Sequence, residues 1–152
     1  MKESIDQRNT VKAIEDVILF QLDITSKQSK IYSQRIMDEA GMGITVEQWV
    51  LLKIVQEANG LSQKEIAIKS YRDPASITRT LDILEKKGLV KRQPDPNDRR
   101  QYRIVLSDQG RDFVDRHMEL VNTMRKQSVK GFNADEIGRL NEFLMRIKNN
   151  LA

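Results

Sequence analysis

Two short stretches hold side chains whose types and spacing could do chemistry. The first is Asp98-Arg99-Arg100, at the middle of "QPDPNDRRQYRIVLS" (Gln93 to Ser107). A guanidinium on a short loop stiffened by prolines, oriented by a neighbouring carboxylate, is suited to insertion into a narrow and strongly negative groove. The second is "RDPASITRT" (Arg72 to Thr80). Arg79 is long enough to give a bidentate pair of hydrogen bonds to guanine O6 and N7, worth about 1–3 kcal/mol of discrimination. Ala75 and Ser76 are small enough to let a helix end approach base edges. Thr78, Thr80 and Arg72 suit phosphate oxygens, as do the free amides of a helix start.

The distribution of charge points the same way. The sequence has 152 residues, with 26 Lys+Arg against 22 Asp+Glu, a net +4. From Arg72 to Arg103 nine basic residues face five acidic ones, so the whole excess sits in that one segment. A local excess of this kind favours a polyanionic partner. Cysteine is absent, which excludes disulfides, thiolate zinc sites and cysteine redox switching. With His117 as the single histidine and no glycine-rich phosphate loop, the sequence offers no recognisable nucleophile–base pair or metal cluster. We therefore expect no enzyme, no metal and no cofactor. The longest apolar run considered, "VILF" at Val17 to Phe20, is too short for a membrane span, and "MKESIDQRNT" lacks the apolar core of a signal peptide, so the expected location is cytoplasmic.

The elements that must position these residues can be read from periodicity and caps. From about Asp6 to Asp38 the chain predicts one long helix, with Val11, Ile14, Ile18 and Leu22 on one stripe and Val17, Phe20, Ile24 and Ile31 on another. Two stripes suggest contact on two sides, one of them with a partner subunit. Thr45 with Gln48, and Ser62 with Glu65, form capping boxes, and Asp73 precedes a proline at the first helical position. Helices are predicted over 46–57, 63–69 and 74–87, the last closed by Gly88. "LVKRQ" and "RQYRIVLS" read as a hairpin with "PDPND" at its tip, Tyr102, Ile104 and Leu106 sharing a face. Ser107 caps a helix from about Asp108 to Lys130, along which Phe113, His117, Leu120 and Met124 recur. Asn133 and Glu136 cap a last one bearing Ile137, Leu140, Leu144, Ile147 and Leu151.

A short helix, a brief turn, a second helix and a hairpin constitute a winged helix-turn-helix. Its second helix enters the major groove with its N-terminal residues nearest the bases. With Ile77, Leu81 and Leu84 inward, Ala75, Arg79, Asp82 and Lys86 face outward and Ser76 lies at the edge. Asp82 is awkward beside DNA unless it lies past the groove or orients Arg79. The hairpin tip can reach the adjacent minor groove with Arg99 or Arg100, Asp98 holding the inserted side chain.

The segments "ITVEQWVLLKIV" and "LSQKEIAIKSYRDPASITRTLDILEKKGLVKRQPDPNDRRQYRIVLSDQG" closely resemble the MarR family of bacterial transcription regulators. The most specific part is "DRR…VLSDQG", which matches the family's Asp-x-Arg wing signature and the serine that starts the following helix. The resemblance implies Asp98 and Arg100 as the wing pair and Ala75 to Thr80 as the start of the recognition helix. It implies a mostly α fold with a small β-hairpin wing: a winged helix-turn-helix lobe at 41–107, with 1–40 and 108–152 making an intertwined helical dimerisation region. It also implies a homodimer and small aromatic or phenolic effectors bound between the dimer helices and the DNA-binding lobe. Members that sense oxidants through cysteine are excluded as a mechanism here.

The expected function is a homodimeric, sequence-specific regulator, a repressor, acting on an inverted-repeat operator in double-stranded DNA with helix 74–87 in the major groove and the 93–101 wing in the minor groove. The alternative class is a winged helix used for protein–protein interaction without sequence-specific DNA binding, which would call for an apolar outward face on helix 74–87. Several residues read as structural: Trp49 as core, His117 as a satisfied interface histidine, Met118 and Met124 as interface side chains. Tyr32 and Arg35 could line an effector pocket, but the residues single out no ligand site.

Overall fold

The computed structural model describes residues 13–152. Seven of the nine regular elements beyond a short opening turn contribute buried side chains to one aliphatic core, and Leu61 of an eighth packs against it. The order is α1 (Ile18–Glu39), α2 (Val46–Glu57), β1 (Leu61–Ser62), α3 (Gln63–Ser70), α4 (Pro74–Lys86), β2 (Val90–Pro94), β3 (Tyr102–Leu106), α5 (Asp108–Ser128) and α6 (Ala134–Asn150). The fold is mostly helical with a small antiparallel sheet, as expected.

Each predicted cap is in place. The Thr45 hydroxyl accepts from the Gln48 amide at 3.2 Å while Gln48 Oε1 accepts from the Thr45 amide at 3.0 Å. Ser62 and Glu65 exchange the same pair at 3.2 and 2.8 Å, as do Asn133 and Glu136 at 2.9 and 2.8 Å. Asp73 accepts from the Ser76 amide at 2.8 Å ahead of Pro74. Each such cap contributes roughly 1 kcal/mol, which matters most for α3, only 8 residues long.

The sheet has the order β1-β3-β2, with Ile104 of β3 paired to Leu61 on one side and to Arg92 on the other. Ile104 and Leu106 point into the core, where Leu51, Leu52 and Val55 of α2, Ile66 of α3 and Ile77, Leu81 and Leu84 of α4 are fully buried. Each such side chain stabilises the lobe by about 1.5–3 kcal/mol. Tyr102, expected to share that face, lies at the strand end and is half exposed. The two-residue strand β1 escaped the sequence reading because Ser62 serves at once as strand end and helix cap.

The first helix departs from expectation. Asp6 and Val11, which began the predicted helix, lie outside the described residues. From residue 13 onward the chain makes a 3-10 turn at Ile14–Asp16, extends at Val17 (φ −81°, ψ 119°), and only then enters α1. The break is stabilised locally: the Gln21 amide group donates to the Glu15 carbonyl, satisfying an acceptor that a continuous helix would have paired with its own backbone.

Two glycines are dictated by geometry. Gly88 ends α4 with φ 74°, the left-handed conformation that closes a helix at little cost only for glycine. Gly110 in the first turn of α5 passes so close to β2's approach that an added Cβ would lie 2.0 Å from the Leu89 carbonyl oxygen. Ser107 fixes that crossing, since its hydroxyl accepts from the Gly110 amide at 2.9 Å and donates to the Gly88 carbonyl.

A candidate nucleic-acid interface

Helix α4 presents two different sides. Ile77, Leu81 and Leu84 are buried, while Ala75, Arg79 and Lys86 are exposed on the opposite side, as the periodicity required. Its wing-side flank is tied down. Arg92 of β2 reaches back to Asp82 Oδ1 with Nη2 at 2.7 Å and to the Glu85 carboxylate with Nη1. Arg92 Nε donates to Gln63 Oε1 at 3.1 Å, and the Gln63 amide donates to Thr78 Oγ1 at 3.0 Å. One arginine, 17% exposed, thus joins the wing, α3 and α4.

This network removes one of the two alternatives for Asp82. Asp82 neither orients Arg79 nor stands unpaired before an anion, because Arg92 holds it. Arg79 is exposed and has no ion pair among the described residues. Arg92 and Gln63 were missed from the sequence as site residues. The available signal was the pair of carboxylates at Asp82 and Glu85, one helical turn apart, which need a cation.

Arg72 also differs from expectation. Its guanidinium is turned onto the start of α4, where Nη2 donates to Ser76 Oγ at 3.3 Å and Nη1 is buried with no hydrogen-bond partner. It is half-buried rather than displayed for a phosphate. Burial raises the Glu47 carboxyl, but the Lys30 hydrogen bond, then a backbone hydrogen bond, the Lys30 charge and last the Arg72 charge hold it below the usual value. Thr78 and Thr80 spend their hydroxyl protons on their own helix, donating to the Pro74 and Ser76 carbonyls at 3.0 and 2.9 Å.

The wing is built from backbone turns and one ion pair. Asp95 accepts from the Asn97 amide at 2.8 Å and from Arg103 Nε at 3.1 Å. These two contacts, the backbone amide first, hold its carboxyl below the usual aspartate value. The Gln101 amide donates to the Asp98 carbonyl at 3.0 Å, and Asp98 Oδ1 accepts from the Arg100 amide at 3.0 Å. Asp98 therefore shapes the turn through Arg100's backbone and makes no contact with either guanidinium, contrary to the expected side-chain pairing. Arg99 and Arg100 are exposed at the tip, without ion pairs among the described residues.

Behind the lobe, α1, α2 and α5 line an open cavity of about 760 Å³. Tyr32, Met37, Trp49, Val50 and Met124 line it, with Arg125 at its edge. Trp49 is buried core, as expected, and also forms cavity wall. Of the two residues considered for a pocket, Tyr32 lines this one; Arg35 stacks over the outer side of Tyr32 at 5.9 Å. Met124 is packed within the chain's own core rather than held out for a partner. His117 rests against Phe113, with ring centroids 4.3 Å apart and Nδ1 2.8 Å from the Phe113 carbonyl oxygen. No group of three metal-ligating side chains occurs among the described residues, and none of their helices is long and apolar enough to cross a membrane.

Helix α6 has no buried residue. Leu140, Phe143, Leu144 and Met145 are exposed along it and Leu151 just past its end, as are Ile18, Leu19, Ile24 and Ile31 along α1. A soluble chain rarely leaves contiguous apolar surface of this extent uncovered.

Comparison with known proteins agrees with this architecture. The MarR family profile matches residues 44–102. An uncharacterized HTH-type transcriptional regulator of Bacillus subtilis (strain 168), YdgJ, is 33% identical over 113 residues, spanning 74% of this chain and 69% of that protein. Among solved structures, a MarR-family transcriptional regulator from Rhodococcus sp. RHA1 superposes with a TM-score of 0.79 at 26% identity, over 90% of this chain and 95% of its own. MepR of S. aureus in its complex with DNA shares the fold with a TM-score of 0.81 at 22% identity, over 92% and 100%.

Proposed function

Because this chain belongs to the MarR family of DNA-binding transcription regulators, we propose that it acts as a homodimeric repressor on an inverted-repeat operator, α4 entering the major groove and the wing the adjacent minor groove. The observation that carries this reading is the state of three arginines. Arg79 on α4 and Arg99 and Arg100 on the wing are exposed and form no ion pair among the described residues, whereas Arg92 and Arg103 nearby are both engaged. Unpaired guanidiniums on two elements joined by Arg92 make a surface suited to a polyanion. The sister class of protein–protein winged helices is disfavoured, since the outward side of α4 carries Ala75, Arg79, Asp82 and Lys86, with Ile83 as its one exposed large apolar side chain.

Within this reading the contacts divide into readers and positioners. Arg79, Ala75 and Ser76 approach base edges; Thr78 and Thr80, hydroxyl protons already given, keep acceptor lone pairs and brace the helix. Arg72 acts by holding Ser76, and Asp98 by shaping the turn that carries Arg99 and Arg100 into a minor groove. The uncovered stripes of α1 and α6 pair with those of a second copy and set the two lobes about one DNA turn apart. The cavity accepts a small aromatic effector, whose binding shifts the spacing of the lobes between DNA-compatible and incompatible arrangements. As a DNA-bound regulator it works in the cytoplasm.

The test is selection of bound duplexes from random DNA by the intact protein, followed by titration with salt. An inverted repeat should emerge, with affinity falling steeply from low to moderate salt. Arg100→Ala should lose operator affinity while folding and assembly are unchanged. Indifference to duplex DNA in dilute buffer sinks the reading; unchanged binding by Arg100→Ala removes the wing from it.

A further inference from the structure

Hydrogen-bonding capacity around α4 is distributed unequally between donors and acceptors. On the wing side, one oxygen of each carboxylate is engaged by a single arginine. Arg92 holds Asp82 Oδ1 at 2.7 Å and the Glu85 carboxylate, offsetting the charge of both. It also occupies Gln63 Oε1 at 3.1 Å. Gln63 in turn spends its amide on Thr78 Oγ1 at 3.0 Å. Asp73 is taken up by the Ser76 amide at 2.8 Å. Asp82 and Glu85 also stand roughly 9 and 14 Å beyond Ser76 along the helix, at about 1.5 Å per residue, away from the N-terminal turns that approach bases.

The donors are in the opposite condition. Arg79 is exposed and has no acceptor among the described residues. Ser76 Oγ receives Arg72 Nη2 at 3.3 Å and donates to nothing described, so its own proton is still available. Thr78 and Thr80, by contrast, have already given theirs to backbone carbonyls at 3.0 and 2.9 Å.

We propose that the N-terminal turns of α4 read DNA through the donors Arg79 and Ser76, and that Arg92 is the positioning residue that keeps the Asp82 and Glu85 carboxylates from pairing with Arg79. By withdrawing Asp82, Glu85 and Gln63, it leaves Arg79 and Ser76 to select base edges rich in acceptors. Guanine, which offers O6 and N7, is the base opposite Arg79; a purine N7 or thymine O4 faces Ser76. Cytosine N4 and adenine N6, which are donors, leave Arg79 facing a donor. This inference rests on the proposed mode of DNA binding and adds the polarity of the bases read.

The experiment compares sites selected from random duplexes by the intact protein and by Arg79→Ala. The positions whose preference disappears in Arg79→Ala should be guanines in the wild-type site. Replacing that guanine with 7-deazaguanine, which lacks the N7 acceptor, should weaken wild-type binding at least about fivefold. A·T pairs at those positions, or indifference to 7-deazaguanine, overturns the proposal. Failure to bind any duplex at low salt overturns the mode of binding beneath it as well, a separate and recognisable result. Arg92→Met, which releases both carboxylates, should shift preference at the same positions away from guanine, and Arg92→Lys should restore part of it. An equal loss on every sequence makes Arg92 merely structural and overturns its assignment. Should Arg92→Met fail to fold, Arg92→Gln is put through the same comparison, and a preference for guanine left intact there overturns the role of Arg92.

Discussion

Lys87, which caps the end of α4, donates its ammonium to the Gly43 carbonyl at 2.7 Å. The recognition helix is thereby fastened to the loop that joins α1 to α2. The same loop is held from its other side by Gln34 of α1, whose Oε1 accepts from the Val46 amide at 2.9 Å and whose amide donates to the Ile44 carbonyl at 3.2 Å. Since α1 and α2 form walls of the cavity, this loop is a mechanical link between cavity and α4.

The link makes a coupling prediction. Trp49 is the single tryptophan and lines the cavity, so its fluorescence reports occupancy directly. A small aromatic acid, drawn by the apolar walls and by Arg125 at the edge, should change Trp49 emission saturably. In Lys87→Met the emission change should persist at similar concentration, while the effect of the acid on DNA affinity shrinks. Equal coupling in both proteins would show that α4 is informed by another route.

The crossing of α5 beneath Leu89 makes a sharper prediction about stability. A Cβ at residue 110 would sit 2.0 Å from a backbone oxygen that cannot rotate away. Overpacking of this kind costs typically about 1–3 kcal/mol, and here backbone must move to relieve it. Gly110→Ala should lie at or above the top of that range by chemical denaturation. Gly138→Ala, where the added Cβ meets open space, should instead be neutral or stabilising by up to about 1 kcal/mol. A small effect at Gly110 would mean that the α5 entry is more pliant than its hydrogen bonds suggest.

At the wing, Asp95 sets an acid limit. The Asn97 amide, then Arg103, hold its carboxyl below the usual value of 3.8. A depressed carboxyl contributes stability that is present above its unfolded value and lost as pH falls through the folded one. The wing turn should therefore be unchanged through neutral and mildly acidic pH and loosen only below 3.8. The Asn97 amide resonance followed against pH reads this directly. A midpoint above the usual aspartate value would contradict the geometry.

Most of the lobe was legible in the sequence because its determinants are local. Thr45, Ser62, Asp73, Ser107 and Asn133 each declare a helix start within three or four residues, and the spacing of Ile77, Leu81 and Leu84 declares which side of α4 is inward. What stayed hidden depends on residues far apart in the chain. Arg92 meets Glu85 and Gln63 only after the hairpin folds back, and Arg72 turns onto Ser76 instead of outward. Asp98 was expected to grip a guanidinium because side-chain chemistry suggested it; the turn geometry gives its carboxylate a backbone amide closer to hand. The break at Val17 was invisible because apolar periodicity continues through it, and only the Gln21 contact with Glu15 marks the interruption.

The apolar stripe of α6 yields a prediction about assembly that leaves the lobe untouched. None of its side chains is buried within the chain, so changing them removes nothing from the chain's own core. Leu140 and Leu144 lie four residues apart on one side of the helix, 41% and 39% exposed. Placing aspartate at both should leave helix content and the lobe's cooperative unfolding nearly unchanged. In sedimentation the wild-type protein should run at twice the 17.6 kDa chain mass, and the double variant as a single chain. The variant should also lose affinity for the full inverted repeat while retaining weak binding to a half-site, because each lobe keeps its own α4 and wing. A wild-type protein that sediments as one chain would leave the two half-sites unlinked and remove the symmetric mode of DNA binding.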